Sequence, residues 1–139
     1  MYLVAVIDLF SRFIVGWSLS NTMTSTWCKE CVEAAIANHG KPEILNTDQG
    51  SQFTSPFFAD FITGRDINFS MDGKGRAIDN IFIERFWRSI KYEKIYIEPS
   101  DDGIELFGKI KSYMEFYNTR RPHQSLDYKK PEQLFSRAA

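Results

Sequence analysis

The sequence lacks any run of 18 apolar residues, and its 139 residues include only two cysteines. The first absence excludes a conventional transmembrane helix. The opening segment, Met1–Leu9, has no basic leader, so it indicates a buried strand rather than a signal peptide. We therefore expect a soluble, cytoplasmic protein with no membrane partner. The length is that of one ordinary domain, and we predict a single domain over residues 1–139.

The two cysteines, Cys28 and Cys31, form a lone C-x-x-C motif. A zinc site would need a second pair or histidines at ligand spacing, and His39 and His123 do not supply them. A thioredoxin-like redox pair is the alternative, but the surrounding apolar residues recur at helical spacing. We expect both cysteines to lie on the buried face of a helix.

The net charge of −1 conceals an uneven distribution along the chain. Residues 1–84 carry 6 basic and 10 acidic side chains, whereas residues 85–139 carry 11 basic and 8 acidic ones. The acidic half therefore suits a cation, and the basic half suits phosphate groups.

Apolar runs and turn residues predict an α/β layer fold. The predicted strands are Met1–Leu9, Phe13–Ser20, Glu43–Thr47 and Asp66–Met71, the first two forming a hairpin. The predicted helices are Thr24–Asn38, one that begins at Ser55-Pro56, Asp79 to about Glu93, one that begins near Asp102 with an apolar stripe from Ile104 and Phe107 to Tyr117, and a short one after Pro131. Residues from about 118 to 139 form a C-terminal tail of the same domain.

Two acidic residues stand where they suit catalysis. Asp48 follows a predicted strand and precedes a glycine, although Asp-Gln-Gly is also ordinary turn chemistry. Glu84 lies in a predicted helix, with Arg88 and Lys91 on the same stripe at i+4 and i+7. One interpretation is a solvated ladder of ion pairs. The other requires both acids, because carboxylates bind Mg²⁺ or Mn²⁺, and two such ions promote phosphodiester chemistry.

Three motifs occur in a specific order, with 35 residues between Asp48 and Glu84 and Lys91 seven beyond the glutamate. They are Asn46-Thr47-Asp48-Gln49-Gly50-Ser51-Gln52-Phe53, then Met71-Asp72-Gly73-Lys74-Gly75-Arg76-Ala77-Ile78-Asp79-Asn80 leading to Glu84-Arg85-Phe86-Trp87, and finally Tyr117-Asn118-Thr119-Arg120-Arg121-Pro122-His123-Gln124-Ser125-Leu126. Over nearly its whole length the chain resembles the integrase catalytic core of bacterial insertion-sequence transposases, relatives of retroviral integrases with a DDE active site.

The resemblance implies a ribonuclease-H-like fold, a mixed sheet flanked by helices. It also implies Mg²⁺- or Mn²⁺-dependent cleavage and strand transfer at transposon ends, with two metal ions in the complete domain. Asp48 and Glu84 match the second and third catalytic, metal-binding acids, and Lys91 matches a basic position that contacts DNA. Arg88 and Asn80 are further DNA-binding candidates. The implied partners are DNA and further copies of the chain, with no small-molecule substrate, and the implied location is the bacterial cytoplasm at the nucleoid.

The basic loop before Glu84 has two interpretations. Lys74 and Arg76 are flanked by glycines, so the loop could close over DNA, although a plain solvated loop fits the same residues. The segment Arg120, Arg121 and His123 could likewise position phosphates, but a structural turn after a long helix is the interpretation we favour.

The chain departs from the family pattern at its start. In the family the first catalytic Asp precedes the segment that resembles Tyr2–Leu9, so the first, central strand of the sheet is expected to be missing here. Asp8 could partly replace the missing acid, although a hydrogen-bonded Asp at a strand end is the simpler interpretation. We expect a rearranged sheet, a strand supplied by another chain, or poor stability, because strand edges are left unpaired.

Three functions follow from these expectations. The first is a transposition enzyme whose activity is impaired by the absent acid. The second is a non-catalytic transposase fragment that acts by subunit association. The third is a structure-selective nuclease of the same fold.

Overall fold

The four strands of the described residues form two pairs. In the computed structural model, which describes residues 1–71 and 80–138 and the side chains up to residue 135, β1 (Tyr2–Ile7) pairs with β2 (Ile14–Ser20). β3 (Ile44–Thr47) pairs in parallel with β4 (Asn68–Met71), with Ile44 opposite Asn68 and Thr47 opposite Met71. The predicted hairpin is confirmed. Within these residues the four strands form two separate two-stranded sheets.

The helices begin and end close to the predicted signals. Thr24 Oγ1 accepts the N–H of Trp27 at the start of the first helix, Ser55 Oγ accepts that of Phe58, and Asp102 Oδ1 accepts that of Glu105 at 2.8 Å. The helices are α1 (Ser25–His39), α2 (Ser51–Thr54), α3 (Pro56–Gly64), α4 (Ile81–Ile90), α5 (Gly103–Thr119) and α6 (Pro131–Ala138), with a π-helix at Lys91–Ile95 and a 3₁₀ turn at Gln124–Leu126. The cap predicted at Asp79 lies outside the described residues.

Contacts between residues divide the chain into two units. The first unit comprises Met1–Val6 and Val15–Ile81, and its core is formed by side chains from α1, α3 and the segment before β4. The fully or almost fully buried members are Cys28, Val32, Phe58, Ile62 and Ile67. β2 packs closely on α1 at Gly16, where a Cβ atom would come 3.0 Å from the Cβ of Ala35.

The cysteines are part of this apolar core, as predicted. Both are free thiols, and Cys28 and Cys31 are 1% and 6% exposed. Burial raises the pKa of the Cys31 thiol to about 12 and raises that of Cys28 as well. The thiolate form, which reacts and binds metals, is therefore suppressed at neutral pH.

The second unit comprises Ile7–Ile14 and Phe82–Ala139. Its buried side chains come mainly from α4 and α5, and Phe86 packs edge-to-face on Tyr117 with ring centroids 5.0 Å apart. Asn118 holds the start of β2: its Oδ1 accepts the N–H of Ile14 at 2.8 Å, and its Nδ2 donates to the Ile14 carbonyl. The buried members are Ile14, Phe86, Ile90, Ile110, Tyr113, Met114 and Tyr117.

Three predicted features differ in the structure. The apolar stripe of α5 is buried only from Ile110 onward, because Ile104 is 86% exposed and Phe107 is 47% exposed. The strand predicted from Asp66 begins at Asn68, since Asp66 has a φ of 61°, which extended strands do not adopt. The helix predicted to continue to about Glu93 leaves the α-helical form at Ile90. No helix among residues 1–71 and 80–138 is long and apolar enough to span a membrane.

Candidate active site

Asp48 lies in the first unit, directly after the last residue of β3. Its side chain is exposed, and Oδ1 accepts the backbone N–H of Gly50 at 2.7 Å. A Cβ atom at position 50 would come 2.9 Å from this oxygen and 2.8 Å from Nε2 of Gln52, so a side chain there would displace these two side-chain ends. The turn thus fixes one carboxylate oxygen at the end of a strand, the position predicted from the sequence.

Asn80 lies beside the same strand. Nδ2 of Asn46, two residues before Asp48 on β3, is 3.4 Å from Oδ1 of Asn80 and donates to it. Asp48 follows the end of β3, two residues after Asn46. Asp48 and Asn80, two of the predicted site residues, both belong to the first unit.

Glu84 lies in the second unit on α4, whose buried side is formed by Phe86 and Ile90. Glu84 and Arg88 are both exposed. The ladder of ion pairs considered from the sequence is not formed, because no ion pair joins Glu84 to Arg88 or Lys91, all of which the structure describes. These three side chains remain available to solvent on one helical segment.

Lys91 is the first residue of the π-helix Lys91–Ile95. Its carbonyl accepts the N–H of Tyr96 at 2.9 Å, an i to i+5 hydrogen bond in place of the α-helical i to i+4 bond. The α-helical spacing of side chains that was counted from Glu84 therefore extends only as far as Lys91. Lys91 itself is exposed.

Glu93, in the same π-helix, is held by two residues that the sequence did not connect with it. Nε and Nη2 of Arg121 donate to the two carboxylate oxygens at 2.8 and 2.7 Å, and the Tyr113 hydroxyl donates to Oε1 at 2.9 Å. These hydrogen bonds, that from Arg121 first, lower the pKa of Glu93. The favoured structural role of the Arg120–Arg121 segment thus rests on an ion pair with Glu93. No local signal predicts a pairing across 28 residues.

His123 lies next to this cluster and is 8% exposed. Its ring packs edge-to-face on Tyr117, with centroids 4.7 Å apart. Burial, and then the charge of Arg121, lowers the pKa of His123 to about 4. The imidazole is therefore neutral at physiological pH, which argues against a direct electrostatic contact with phosphate.

Asp8 belongs to the second unit, in the turn between β1 and β2. Its Oδ2 accepts both the backbone N–H and the hydroxyl of Ser11, at 2.9 and 2.6 Å. These are the hydrogen bonds that the simpler interpretation, a hydrogen-bonded Asp at a strand end, leads us to expect. The two loop candidates, Lys74 and Arg76, lie outside the described residues.

The described part of the chain contains no group of three or more His, Cys, Asp or Glu side chains arranged to hold a metal ion. The chemistry of the individual donors nevertheless suits a hard cation, because Asp48 and Glu84 offer exposed carboxylate oxygens. They lie in different units, and each is positioned by its own local structure, a strand end in one case and an exposed helix side in the other.

Comparison with known proteins places this architecture in a family. Two family models described as "Integrase core domain" match residues 1–77 and 65–131. The chain belongs to the integrase core domain family, and the family resemblance seen in its motifs is confirmed.

The similar curated proteins are transposases. The chain is 38% identical over 135 residues to the transposase for insertion sequence element IS904 of Lactococcus lactis subsp. lactis (strain IL1403), covering 95% of this chain and 53% of the relative. It is 32% identical over 137 residues to transposase InsF for insertion sequence IS3A of Escherichia coli (strain K12), covering 96% and 48%. The chain thus spans about half the length of the curated relatives it matches.

Solved structures confirm the predicted ribonuclease-H-like α/β fold. The HTLV-2 integrase catalytic core, solved in complex with magnesium in a dimeric form, superposes with a TM-score of 0.75 at 24% identity, covering 96% of this chain and 83% of that one. A chain from the structure of the simian T-cell lymphotropic virus intasome in complex with PP2A regulatory subunit B56 gamma gives a TM-score of 0.80 at 20% identity, covering 96% of this chain and 47% of that one. At these identities the likeness concerns the fold.

Proposed function

We propose that this chain forms an integrase core domain that acts in DNA transposition, in which Asp48 and Glu84 bind a divalent metal ion and Lys91 and Arg88 contact DNA phosphates. The observation that carries the proposal is the state of the two acids. Both carboxylates are exposed, and neither forms an ion pair with another described residue. Exposed carboxylates without a charged protein partner are more typical of ligand binding than of structural support.

The roles follow from the chemistry of these side chains. Carboxylate oxygens at Asp48 and Glu84 would hold Mg²⁺ or Mn²⁺, which supplies Lewis acidity and activates an oxygen nucleophile in phosphodiester chemistry. Arg88 and Lys91, one and two turns beyond Glu84, would neutralise backbone phosphates and orient the strand. Asn80, hydrogen-bonded to Asn46 of β3, would contribute an amide contact to DNA. Lys74 and Arg76 complete the proposed set of DNA contacts.

The activity would take place on chromosomal DNA in the bacterial cytoplasm, with further copies of the chain as partners. Magnesium in the HTLV-2 integrase core and the intasome of the simian virus support a metal-dependent, oligomeric DNA enzyme by family analogy.

A second candidate is a non-catalytic role through subunit association. It is favoured by the strand pairing, because each described sheet has only two strands and so has outer edges that can pair with another chain. Pull-down with a full-length transposase of the same element separates this candidate from the first, since association without metal binding supports it alone.

Calorimetric titration of Mn²⁺ into the chain tests the metal site. We expect Asp48→Asn and Glu84→Gln each to weaken Mn²⁺ binding at least about tenfold, because each removes a charged metal ligand. Asp60→Asn and Glu115→Gln are matched controls at exposed positions on α3 and α5, and they should bind as the wild type does. Unchanged binding in both site variants, or no binding by the folded wild type, would contradict the proposed metal site.

A further inference from the structure

Two guanidinium groups lie near the ring of Phe82, the second residue of α4. Cζ of Arg12 lies 3.6 Å from the centroid of the Phe82 ring, and Cζ of Arg85 lies 5.6 Å from it. Both distances are within the range of cation–π attraction. All three residues belong to the second unit. One aromatic ring therefore holds two positive charges at the first turn of the helix that carries Glu84.

The position of Arg12 is set by the turn between β1 and β2. Its backbone N–H donates to the Asp8 carbonyl at 2.7 Å, and the adjacent Ser11, fully buried, donates to the Asp8 carboxylate. Arg12 has a φ of 66°, in the left-handed region that residues other than glycine rarely adopt. An arginine kept in such a conformation, within a turn fixed by buried hydrogen bonds, is presented in a defined direction.

Two of the other arginines at aromatic rings are paired with an acid, whereas Arg120, 5.8 Å from the Phe116 ring, forms no ion pair with a described residue. Arg65 lies over Phe61 at 5.2 Å, and its Nη2 is 3.0 Å from Oε2 of Glu33. Arg121, near Tyr117, is paired with Glu93 in the same way.

The ring of Phe82 differs from these two rings. A second arginine lies near it, whereas the arginine at each of the other two rings is paired with a carboxylate. Neither Arg12 nor Arg85 forms an ion pair with any acid in the described part of the chain, and the carboxylate of Asp8 is already engaged by Ser11. Burial lowers the pKa of the Arg12 guanidinium, and the charge of Arg85 acts in the same direction. The charge of Asp8 acts on the pKa of Arg12 in the opposite direction, but neither guanidinium is in an ion pair with a described acid, and two neighbouring like charges are stabilised when an anion binds.

We propose that Arg12 and Arg85, held by Phe82, form a binding site for backbone phosphates of DNA. The guanidinium is suited to this ligand because its planar donors match phosphate oxygens. The inference rests on the proposed function, since it extends the DNA surface from Arg88 and Lys91 to the first turn of α4. Arg85 and Lys91 are six residues apart, roughly 9 Å along a helix axis, or about three phosphates of one strand. The two sets therefore contact different phosphates.

The salt dependence of DNA binding tests this site. The affinity of the full chain for a short duplex of mixed sequence is measured by fluorescence anisotropy over a series of salt concentrations. Arg12→Met and Arg85→Met should each make the slope of log K against log salt shallower by about 0.9, the value for one lost phosphate contact. Arg12→Lys keeps the charge and should retain the wild-type slope.

Arg65→Met is the matched control, because it removes an arginine that also lies over a ring but is paired with Glu33. It should leave the slope unchanged. Circular dichroism verifies that each variant is folded. Arg85 is exposed on a helix, so Arg85→Met decides the question if Arg12→Met does not fold.

Lys91→Gln, measured in parallel, separates this inference from the proposed function. If Lys91→Gln reduces the slope while both methionine variants keep it, the Phe82 cluster is only structural and the inference is wrong. If the methionine variants reduce the slope and Lys91→Gln does not, the phosphate site stands and the role proposed for Lys91 fails. Absence of salt-dependent DNA binding by the wild-type chain would overturn both.

Discussion

The interactions that stabilise the interior of the first unit differ from those that stabilise the interior of the second. The first unit has an apolar core in which Phe58 and Ile62 are fully buried. The second unit combines an apolar core with a polar cluster, in which Glu93 is bonded to Tyr113 and Arg121 beside His123. The free energy gained by burying apolar area depends weakly on pH, whereas the contributions of charge pairs and of buried titratable groups depend on it strongly. We therefore expect the stabilities of the two units to respond to different perturbations.

The largest effect is expected in the core of the first unit. Phe58→Ala should lower the free energy of unfolding by about 3–5 kcal/mol, because it leaves a cavity among packed aromatic and aliphatic side chains. Phe57→Ala is the matched control, since Phe57 is adjacent but 48% exposed, and should cost clearly less. Urea unfolding measures both. Equal losses in the two variants would show that the core is not the main source of stability there.

The second effect concerns the pH dependence of the second unit. Burial lowers the pKa of His123 from 6.5 to about 4, so the unfolded chain binds this proton more readily than the folded chain. Stability is therefore full above about 6.5, falls as the pH drops, and has lost roughly 3 kcal/mol from this group below about 4. Glu93, whose pKa is lowered from 4.5, adds a loss in the same direction at still lower pH.

Unfolding free energies of the wild type and of His123→Gln, measured between pH 7 and pH 4, test this expectation. The variant should lack most of the loss between about 6.5 and 4. His39→Gln, at an exposed position in the first unit, should keep the wild-type profile. A His123→Gln profile parallel to that of the wild type would contradict the assignment and weaken the contrast between the units.

The smallest effect is expected from a single hydroxyl. Tyr113→Phe removes one of the hydrogen bonds to Glu93 but leaves the ion pair with Arg121, so it should cost about 1 kcal/mol. Tyr92→Phe, at a 62% exposed position, is the control and should be neutral within error. Thermal unfolding followed by circular dichroism measures both. A neutral Tyr113→Phe would indicate that the Arg121 pair alone holds Glu93.

Much of the fold was predictable because its signals are local. Ser55-Pro56 and Asp102 mark helix starts that the structure confirms, and Gly40, a residue type that often ends helices, follows α1 with a φ of 90°. The π-helix was not predictable, because its sequence continues a helical pattern. The exposure of Ile104 was also missed, since a periodic stripe does not reveal where the neighbouring element ends.

The candidate site was predictable only in part. Asp48 and Glu84 were found from the order and spacing of motifs, and their roles stay predictions. The contact of Arg12 with Phe82 joins residues 70 positions apart, and that of Glu93 with Arg121 joins residues 28 apart. Such contacts depend on tertiary packing, so neither composition nor periodicity indicates them.

The parallel pairing of β3 with β4 has a consequence for the order of folding. Each residue of β3 pairs with one 24 positions later, and α2 and α3 lie in the connection. Closing this connection costs chain entropy before the strand hydrogen bonds can compensate, and parallel pairs are slow to form for that reason. We therefore expect α3 to dock on α1 early and the two strands to pair late. The end of β3, which positions Asp48, would then be among the last parts of the first unit to reach its native conformation.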